Sequence, residues 1–326
     1  MQPCETPEKD DRMTYSIFYA VDDNYVDPLT VSLHSLTRNT AATNQYHVIV
    51  MTEHLTPAHK AQIQAEQTAN VTVSFESIAD RLKAQITDKN NKLRADYFTF
   101  TIYFRLFIAE LFPALDRAVY LDADTVVLTD IAELFAENLH GDLLGAVHDP
   151  FMAVNPETTA YTRDAIGVDV HQYCNSGVLL MDLAGMRRVK FADHFLKLLN
   201  QYHFHSLAPD QDYINAITRD RMTHLDESWN VQGDRPQVTT PKIIHYNLFD
   251  KPWHYAQVPN DHYFWHYADE LPQVAANLRA TRTAFGEKQV QGDIKHKQDL
   301  MTLAATTGAE PITFASVEAQ GGQVQI

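Results

Sequence analysis

The stretch "RAVYLDADTVVL" (residues 117–128) joins an apolar run to two carboxylates that are one residue apart. Ala118 to Leu121 have the composition of a buried β-strand, and Asp122 and Asp124 follow that strand directly. In an extended segment, side chains at positions i and i+2 point to the same side. The two carboxylates therefore repel each other at the tip of an apolar strand unless a cation lies between them.

Length, charge and cysteine content restrict the classes of function. The 326 residues are 45% hydrophobic, which suits one large domain or two coupled domains. The formal net charge is -16, from 42 acidic and 26 basic side chains, so a nucleic-acid partner is disfavoured, as is binding to an anionic membrane by charge alone. The two cysteines, Cys4 and Cys174, are too few for a disulfide framework or a thiolate metal cluster.

The first 13 residues are polar and lack the basic-then-apolar order of a signal peptide, so we expect a flexible tail there. Met13 is an alternative start to Met1. No apolar run approaches the length of about 18 residues that a transmembrane helix needs. These features predict a cytoplasmic protein, with peripheral attachment at the inner face of the membrane as the alternative.

From residue 14 onward, short apolar runs alternate with segments of helical periodicity. Strands are predicted at 15–21, 46–52, 71–75, 118–121, 142–149, 173–183 and 241–246. A helix with Leu29, Leu33 and Leu36 on one face follows the first strand, and Thr56-Pro57 has the composition of a helix start. This alternation predicts an α/β fold with a mainly parallel central sheet and right-handed crossovers.

Other segments complete the predicted organisation. The apolar run 100–112 predicts a helix that stops before Pro113 and carries Arg105 as its lone charge, whereas 88–96 and 150–172 are predicted to be irregular. We expect a tail over 1–13, a catalytic domain over 14–260, a smaller helical extension over 261–284 and a weakly structured tail over 285–326.

Polar clusters follow three of the predicted strands: Asp22 with Asn24, Asp122 with Asp124, and Asp149. Each cluster on its own is equally explained by a turn or a helix cap. Ligands of open α/β sheets bind beyond the carboxyl ends of the strands, so three clusters at one edge favour a ligand site.

Two chemistries fit the D-x-D motif at this point. Asp122 and Asp124 could share a Mg²⁺ or Mn²⁺ ion that also binds substrate phosphates, because these hard cations prefer oxygen ligands. Alternatively, "YLDADTVV" is similar to the strand followed by a D-x-D-x-T motif in haloacid-dehalogenase-like phosphatases, with Asp122 as nucleophile and Asp124 as general acid and base, although Thr125 follows Asp124 directly here. Those phosphatases usually carry the motif on their first strand, whereas three predicted strands precede it here.

Six segments, in order, carry a resemblance to a known family. They are "AVDDNY" (20–25), "YFRL" (103–106), "YLDADTVV" (120–127), "NSGVLL" (175–180), "DQDYIN" (210–215) and "HYNLFDKPWH" (245–254). Over about residues 15–265 the chain resembles glycosyltransferase family 8, retaining enzymes that include bacterial lipopolysaccharide galactosyl- and glucosyltransferases. The resemblance implies a GT-A-type, Rossmann-like nucleotide-diphospho-sugar transferase fold.

The resemblance also implies roles for individual residues. The uridine of a UDP-hexose would lie against Asp22, Asn24 and Tyr25. A metal ion, Mn²⁺ with Mg²⁺ as the alternative, would be held by Asp122 and Asp124, with Ala123 between them, and by His245. Lys251 would approach the diphosphate, and Gly177 would permit close approach of the backbone to the ligand. The donor sugar would contact Arg105, Asn175, Ser176, Asp210 and Gln211.

The catalytic candidates implied by the resemblance are Asp210 and Gln211, together with Asp149 near the acceptor. The chain departs from the family at Leu248, where a glycine is common, and at Tyr97, which aligns roughly with a donor-loop histidine of some members.

The predicted function is a metal-dependent retaining transfer of galactose or glucose from a UDP-sugar to a hydroxyl of a glycan, glycolipid or glycoprotein. A non-catalytic nucleotide-sugar or carbohydrate-binding protein of the same fold is the alternative, and a homo-oligomer is compatible with either.

Overall fold

The computed structural model describes residues 14–78 and 100–326. In this part of the chain the strands are β1 (Thr14–Ala20), β2 (Gln45–Thr52), β3 (Val71–Ser77), β4 (Arg117–Leu121), β5 (Thr125–Val127), β6 (Leu144–Ala146), β7 (Val178–Asp182), β8 (Met222–His224), β9 (Val231–Gln232) and β10 (Ile243–His245). The predicted tail 1–13, the predicted loop 88–96 and Tyr97 lie outside the described residues.

The α-helices of the described residues are α1 (Val26–Asn39), α2 (Pro57–Gln64), α3 (Ile108–Leu111), α4 (Ala132–Ala136), α5 (Pro150–Val154), α6 (Pro156–Tyr161), α7 (Leu183–Arg188), α8 (Phe191–Tyr202), α9 (Pro209–Thr218), α10 (Asp261–Ala268), α11 (Pro272–Ala284), α12 (Glu287–Thr307) and α13 (Phe314–Ala319). Segments of 3-10 helix span Asp23–Tyr25, Phe100–Phe107, Arg219–Arg221 and Glu227–Trp229, and a π-helical turn spans Thr162–Ile166.

The central sheet has seven strands in the order β3–β2–β1–β4–β7–β6–β8, and a smaller sheet has the order β5–β10–β9. In the larger sheet, β7 runs antiparallel to β4 and β6, and the other neighbouring strands are parallel. The predicted α/β class with a mainly parallel sheet is confirmed. Because β7 is reversed, the residues that precede it lie at the same edge as the residues that follow the parallel strands.

Helix α1 connects the core to the D-x-D segment. Leu29, Leu33 and Leu36 are buried, as the helical periodicity predicts. Two buried serines on the same helix bind the strand that follows the motif: the Ser32 hydroxyl lies 3.0 Å from that of Thr125, and Ser35 Oγ accepts a hydrogen bond of 2.9 Å from the backbone of Val127. Since buried hydroxyls need partners, these bonds fix the position of β5 relative to α1.

The helix start predicted at Thr56-Pro57 is confirmed, because Thr56 Oγ1 accepts a hydrogen bond of 3.3 Å from the backbone of His59. Helix α2 ends at Gln64, and a turn leads to β3.

Residues 100–112 differ from the single helix that was predicted. A 3-10 helix occupies Phe100–Phe107, and α3 follows it. With about three residues per turn, a 3-10 helix aligns positions i and i+3. Ile102 and Arg105 accordingly face the same cavities at the edge of the sheet.

The prediction of irregular structure over 150–172 is wrong for its first part, which forms α5, α6 and the π-helical turn. Both short helices begin with proline at the first turn, where its fixed φ and missing N–H are tolerated. Asp149 Oδ1 caps α5 by accepting a hydrogen bond of 3.0 Å from the backbone of Phe151. Asp149-Pro150 and Asn155-Pro156 were therefore helix-start signals.

The chain after residue 285 also differs from the predicted weakly structured tail, because it forms α12 and α13. Leu300, Ala304 and Thr307 of α12 are buried at a spacing of four and three residues, and the rest of that long helix is polar. Such a narrow apolar stripe gives only weak periodicity in the sequence. The domain boundaries at 260 and 284 remain predictions.

No helix within residues 14–78 and 100–326 is long and apolar enough to cross a membrane.

Helix α13 yields a prediction about the stability of the fold. Phe314 is 1% exposed, and its ring centroid lies 3.9 Å from that of Phe204 and 4.8 Å from that of Tyr213 on α9. Phe314→Ala should lower the free energy of unfolding by about 3–5 kcal/mol, because it removes a ring from a packed cluster. Chemical denaturation followed by circular dichroism measures this loss.

Ile312→Ala is the matched control, since Ile312 is 49% exposed and should change the free energy of unfolding by less than about 0.5 kcal/mol. Equal, small effects of both substitutions would mean that α13 does not contribute to the core.

Candidate active site

The D-x-D turn is held between three strands. The backbone N–H of Asp122 donates to the carbonyl of Gly177 at 2.8 Å, next to the start of β7. The carbonyl of Asp124 accepts a hydrogen bond of 3.0 Å from the backbone of Tyr246, directly after β10. The two carboxylates and His245 at the end of β10 therefore meet at one edge, although 121 residues or more separate His245 from them in the sequence.

Asp122, Asp124 and His245 form a candidate metal site. One ligand atom from each residue lies within 4.8 Å of the others. His245 Nε2 lies 3.2 Å from Asp124 Oδ1 and 3.7 Å from Asp122 Oδ2. Asp124 Oδ1 is buried and has no hydrogen-bond donor within the described residues. A buried oxygen without a donor, beside a second carboxylate and an imidazole, fits a divalent cation.

Because Gly177 has no side chain, the cluster can pack directly against its backbone. A Cβ atom at position 177 would lie 2.2 Å from His245 Cε1 and 2.7 Å from Asp122 Oδ2. Any side chain there would displace the imidazole or the carboxylate. The glycine is therefore required by the close approach of the backbone to the candidate metal ligands.

Two buried cations pair with the carboxylates, one with each. Arg105 donates to Asp122 Oδ1 at 2.8 Å and to the carbonyl of Ser176 at 2.8 Å, and it lies 3.2 Å from Asp210 Oδ2. Lys251 Nζ contacts Asp124 Oδ2. Unpaired charges are costly in a protein interior, so these pairs offset the cost of placing charged groups at the end of a buried strand.

Charge and burial act in opposite directions on these groups. Burial alone would raise the pKa of Asp124, but the ammonium group of Lys251 acts in the opposite direction and the pKa is held well below its usual range. Burial would likewise lower the pKa of Lys251, yet the carboxylate of Asp124 raises it above its usual value. Asp124 and Lys251 therefore form a charged pair at neutral pH.

Two adjoining cavities share the D-x-D turn as a wall. One cavity of about 260 Å³ is lined by Asp22 and Tyr25, and the other, of about 220 Å³, is lined by His245. Both cavities contact Ile102, Arg105, Asp122 and Asp124. The second also contacts Asn175, Ser176, Asp210 and Gln211, and Ala123 lines the first.

The polar side chains of the second cavity are fixed by hydrogen bonds. Gln211 Oε1 accepts a hydrogen bond of 3.0 Å from the backbone of Ser176, and Gln211 Nε2 donates to Asp149 Oδ2 at 2.9 Å. The hydroxyl of Ser176 donates to Asp210 Oδ2 at 2.9 Å. Asp149 is 2% exposed and lies behind Gln211, outside the residues that line the cavity.

Asn24 and Lys251 do not line the two cavities, although the resemblance placed both at the donor site. Asn24 is exposed, and its backbone N–H donates to Asp22 Oδ1 at 2.9 Å, so its side chain does not line the cavity beside Asp22. Lys251 is buried against Asp124, and Tyr97 lies outside the described residues. Leu248 has a φ of 54°, the left-handed conformation that favours glycine, so the backbone there retains the shape that a glycine would take.

Asn230 was missed by the sequence analysis. It is 3% exposed and contacts both His245 and Asn175 at 3.0 Å. In the sequence it is a single asparagine between Trp229 and Val231, which indicates a turn as readily as a site. No local signal distinguishes it, because its partners lie 15 and 55 residues away.

Comparisons with known proteins identify the family of the chain. The family model described as "Glycosyl transferase family 8" matches residues 16–257. The chain is 28% identical over 271 residues to a lipopolysaccharide 1,2-glucosyltransferase of Escherichia coli (strain K12), with 76% of each chain covered. It is 24% identical over 269 residues to a lipopolysaccharide 1,3-galactosyltransferase of Salmonella typhimurium (strain LT2), covering 77% of this chain and 76% of the relative.

Solved structures show the same fold. The galactosyltransferase LgtC, in complex with donor and acceptor sugar analogs, has a TM-score of 0.65 at 22% identity, over 78% of this chain and 95% of its own. The bifunctional glycosyltransferase WbbM has a TM-score of 0.68 at 21% identity, over 80% of this chain, which spans half of the length of WbbM. The fold is the GT-A type, and because the family model covers most of the sequence, the chain belongs to glycosyltransferase family 8.

Proposed function

We propose that the protein is a metal-dependent retaining glycosyltransferase that moves galactose or glucose from a UDP-sugar to a hydroxyl of a glycan, glycolipid or glycoprotein. The observation that carries this proposal is the Asp122, Asp124 and His245 cluster, which lies on the wall between two cavities of a family 8 chain. Family membership argues against the phosphatase interpretation of the D-x-D motif.

The three residues of the cluster would hold Mn²⁺, with Mg²⁺ as the alternative. An imidazole beside two carboxylates suits Mn²⁺ better, because Mg²⁺ prefers oxygen ligands. A bound divalent ion would act as a Lewis acid on the departing diphosphate.

The cavity lined by Asp22 and Tyr25 would take the uridine, with the aromatic ring against the base and the carboxylate on the ribose. The ring of Tyr25 is positioned by an edge contact with Trp253, whose centroid lies 6.1 Å away. Lys251 Nζ lies 5.9 Å from the Tyr25 ring, so the base side of this cavity adjoins the charged pair.

Lys251 would stabilise the charge that develops on the leaving diphosphate. Its ammonium group has three donors, and two of them point to Asp124 Oδ2 and to the carbonyl of Tyr246, which lies 2.5 Å away. The third donor has no hydrogen-bond acceptor within the described residues and would bind the diphosphate.

The second cavity would hold the hexose, whose hydroxyls would bond to Arg105, Asn175, Ser176, Asp210 and Gln211. Both ends of the Gln211 amide are already engaged, and an amide is a poor nucleophile. These two facts favour attack by the acceptor hydroxyl on the face that the leaving group vacates. Asp149 would act as a positioning residue for Gln211 rather than as a proton acceptor, because its carboxylate lies outside the cavity wall.

The acceptor would occupy a larger groove of about 560 Å³ that meets the hexose cavity at Asn247 and Leu248. Phe151, Phe249 and Tyr255 supply aromatic rings to this groove. Aromatic faces with interspersed polar groups suit a saccharide, which has apolar ring faces and a polar periphery.

A donor panel tests the proposed activity. UDP-galactose, UDP-glucose and UDP-N-acetylglucosamine are incubated with the protein and Mn²⁺, and released UDP is measured with and without EDTA. We expect release from one hexose donor, its loss with EDTA, and a loss of at least about a hundredfold in Asp124→Asn. Asp299→Asn, on an exposed face of α12, is the control and should match the wild type.

Absence of UDP release with every donor, with or without an oligosaccharide panel as acceptor, would support the non-catalytic alternative, provided that UDP still binds. Product NMR then tests the stereochemistry: an α-configured product is expected from the α-configured donor, and a β-configured product would contradict retention.

Gly177→Ala tests the metal cluster directly. The added methyl group must displace His245 or Asp122, so we expect Mn²⁺ affinity to fall by about tenfold or more while the protein stays folded. Isothermal titration with Mn²⁺ measures the affinity, and denaturation measures the fold.

The matched control is Gly292→Ala on α12, where an added Cβ has nothing within 4 Å. It should leave Mn²⁺ affinity unchanged and raise helix stability by up to about 1 kcal/mol. If Gly177→Ala binds Mn²⁺ as tightly as the wild type, the cluster is not the metal site.

A further inference from the structure

Asn230 lies between the candidate metal ligand His245 and a chain of buried hydrogen bonds. It follows the 3-10 helix Glu227–Trp229 and directly precedes β9, and its side chain is buried. One end of its amide lies 3.0 Å from Asn175 Oδ1, and the other lies 3.0 Å from His245 Nδ1. The direction of these two hydrogen bonds determines which ring nitrogen of His245 carries a proton.

The direction is set by a group that can only donate. The backbone N–H of Gly177 points to the side chain of Asn175 at 2.9 Å, so the atom that it meets must be the amide oxygen, Oδ1. The other end of that amide, Nδ2, then donates to Asp149 Oδ2 at 3.2 Å, which is a carboxylate oxygen that accepts. Both contacts agree on the orientation of Asn175.

The orientation of Asn230 follows from that of Asn175. Asn175 Oδ1 is an acceptor, so the Asn230 atom that faces it must be the donor Nδ2. Asn230 Oδ1 therefore faces His245 Nδ1, and only a protonated Nδ1 can bond to it. A ring with a bare Nδ1 would place two acceptors 3.0 Å apart in a buried site.

We propose that Asn230 is a positioning residue that keeps the proton of His245 on Nδ1 and thereby presents the lone pair of Nε2 to a divalent metal. Nε2 is the nitrogen that lies 3.2 Å from Asp124 Oδ1, on the side of the carboxylates. Hydrogen bonds of this kind orient metal-ligating histidines and fix their tautomer. The metal in this inference rests on the proposed function, whereas the tautomer does not.

The relay Asp149–Asn175–Asn230–His245 connects a carboxylate outside the cavity wall to the candidate metal ligand. Each side-chain amide in the relay has only one possible orientation. One end of the relay is the Asp149 carboxylate, which can only accept, and the other is His245 Nδ1, which must donate. A change at Asn230 breaks the relay at its junction with the imidazole and leaves Asp122 and Asp124 untouched.

The tautomer is measured by NMR on metal-free protein with ¹⁵N-labelled histidine at pH 9, with the His245 signal assigned by its loss in His245→Ala. We expect the wild type to carry the proton on Nδ1, and Asn230→Ala to show a population protonated on Nε2 with a bare Nδ1. A wild-type ring whose Nδ1 is bare would overturn the inference, whatever metal the protein binds.

Metal binding is measured by electron paramagnetic resonance with Mn²⁺ as the probe. Asn230→Ala should bind Mn²⁺ about 10–100-fold more weakly than the wild type, and the imidazole ¹⁴N coupling of the bound ion should weaken or disappear. Asn230→Asp should keep the proton of His245 on Nδ1, because a carboxylate also accepts from Nδ1–H, although it loses the donor that faces Asn175 Oδ1.

Asn39→Ala is the matched control, since Asn39 bonds to α1, β5 and Tyr267, away from the carboxylates, and it should leave Mn²⁺ binding unchanged. Affinity and ¹⁴N coupling in Asn230→Ala equal to those of the wild type would overturn the positioning role. If the wild type itself binds no Mn²⁺, the metal in the proposed function fails, and the NMR measurement still decides the tautomer.

Discussion

Two carboxylates at the end of a buried strand must be neutralised, and much of the surrounding structure meets that requirement. Arg105 pairs with Asp122, and Lys251 pairs with Asp124. Both cations are themselves buried, and the guanidinium of Arg105 is further held 4.2 Å above the ring of Tyr120. Removing Lys251 would leave the buried Asp124 without its ammonium partner, and removing Asp122 would take one of two carboxylates from the buried Arg105, so the D-x-D turn, the 3-10 helix and the loop after β10 depend on one another.

Strands and helices could be predicted where their buried residues form a wide or regular apolar pattern in the sequence. Six of the seven strands of the central sheet and the face of α1 with Leu29, Leu33 and Leu36 have such patterns, and each was predicted near its observed position. The seventh strand, β8, has three residues and was not predicted. Helix α12 was missed because its buried stripe is narrow, and α5 was missed because its start signal is only a capping aspartate and a proline. Tertiary packing, rather than local periodicity, determines those elements.

Some residues of the candidate site could likewise be predicted from the sequence, and others could not. The D-x-D motif and the resemblance together pointed to Asp122, Asp124 and His245, which the fold brings within ligand distance of a common point. The pairing of Lys251 with Asp124 and the contact of Asn230 with His245 could not be predicted, because each depends on a loop that returns to the sheet from far along the chain. Sequence motifs therefore indicate the candidate metal ligands, whereas the side chains that contact and orient those ligands are known only from the fold.

The two oxygens of Asp124 have separate environments, and this separation bears on how a metal and Lys251 would act together. Oδ2 contacts Lys251, whereas Oδ1 faces His245 and has no hydrogen-bond donor within the described residues. A cation on Oδ1 would leave the pair with Lys251 intact, so the metal and the ammonium would lie on either side of one carboxylate. Under the proposed function, both positive charges would then be in place before the diphosphate leaves, and little reorganisation would be needed to stabilise it.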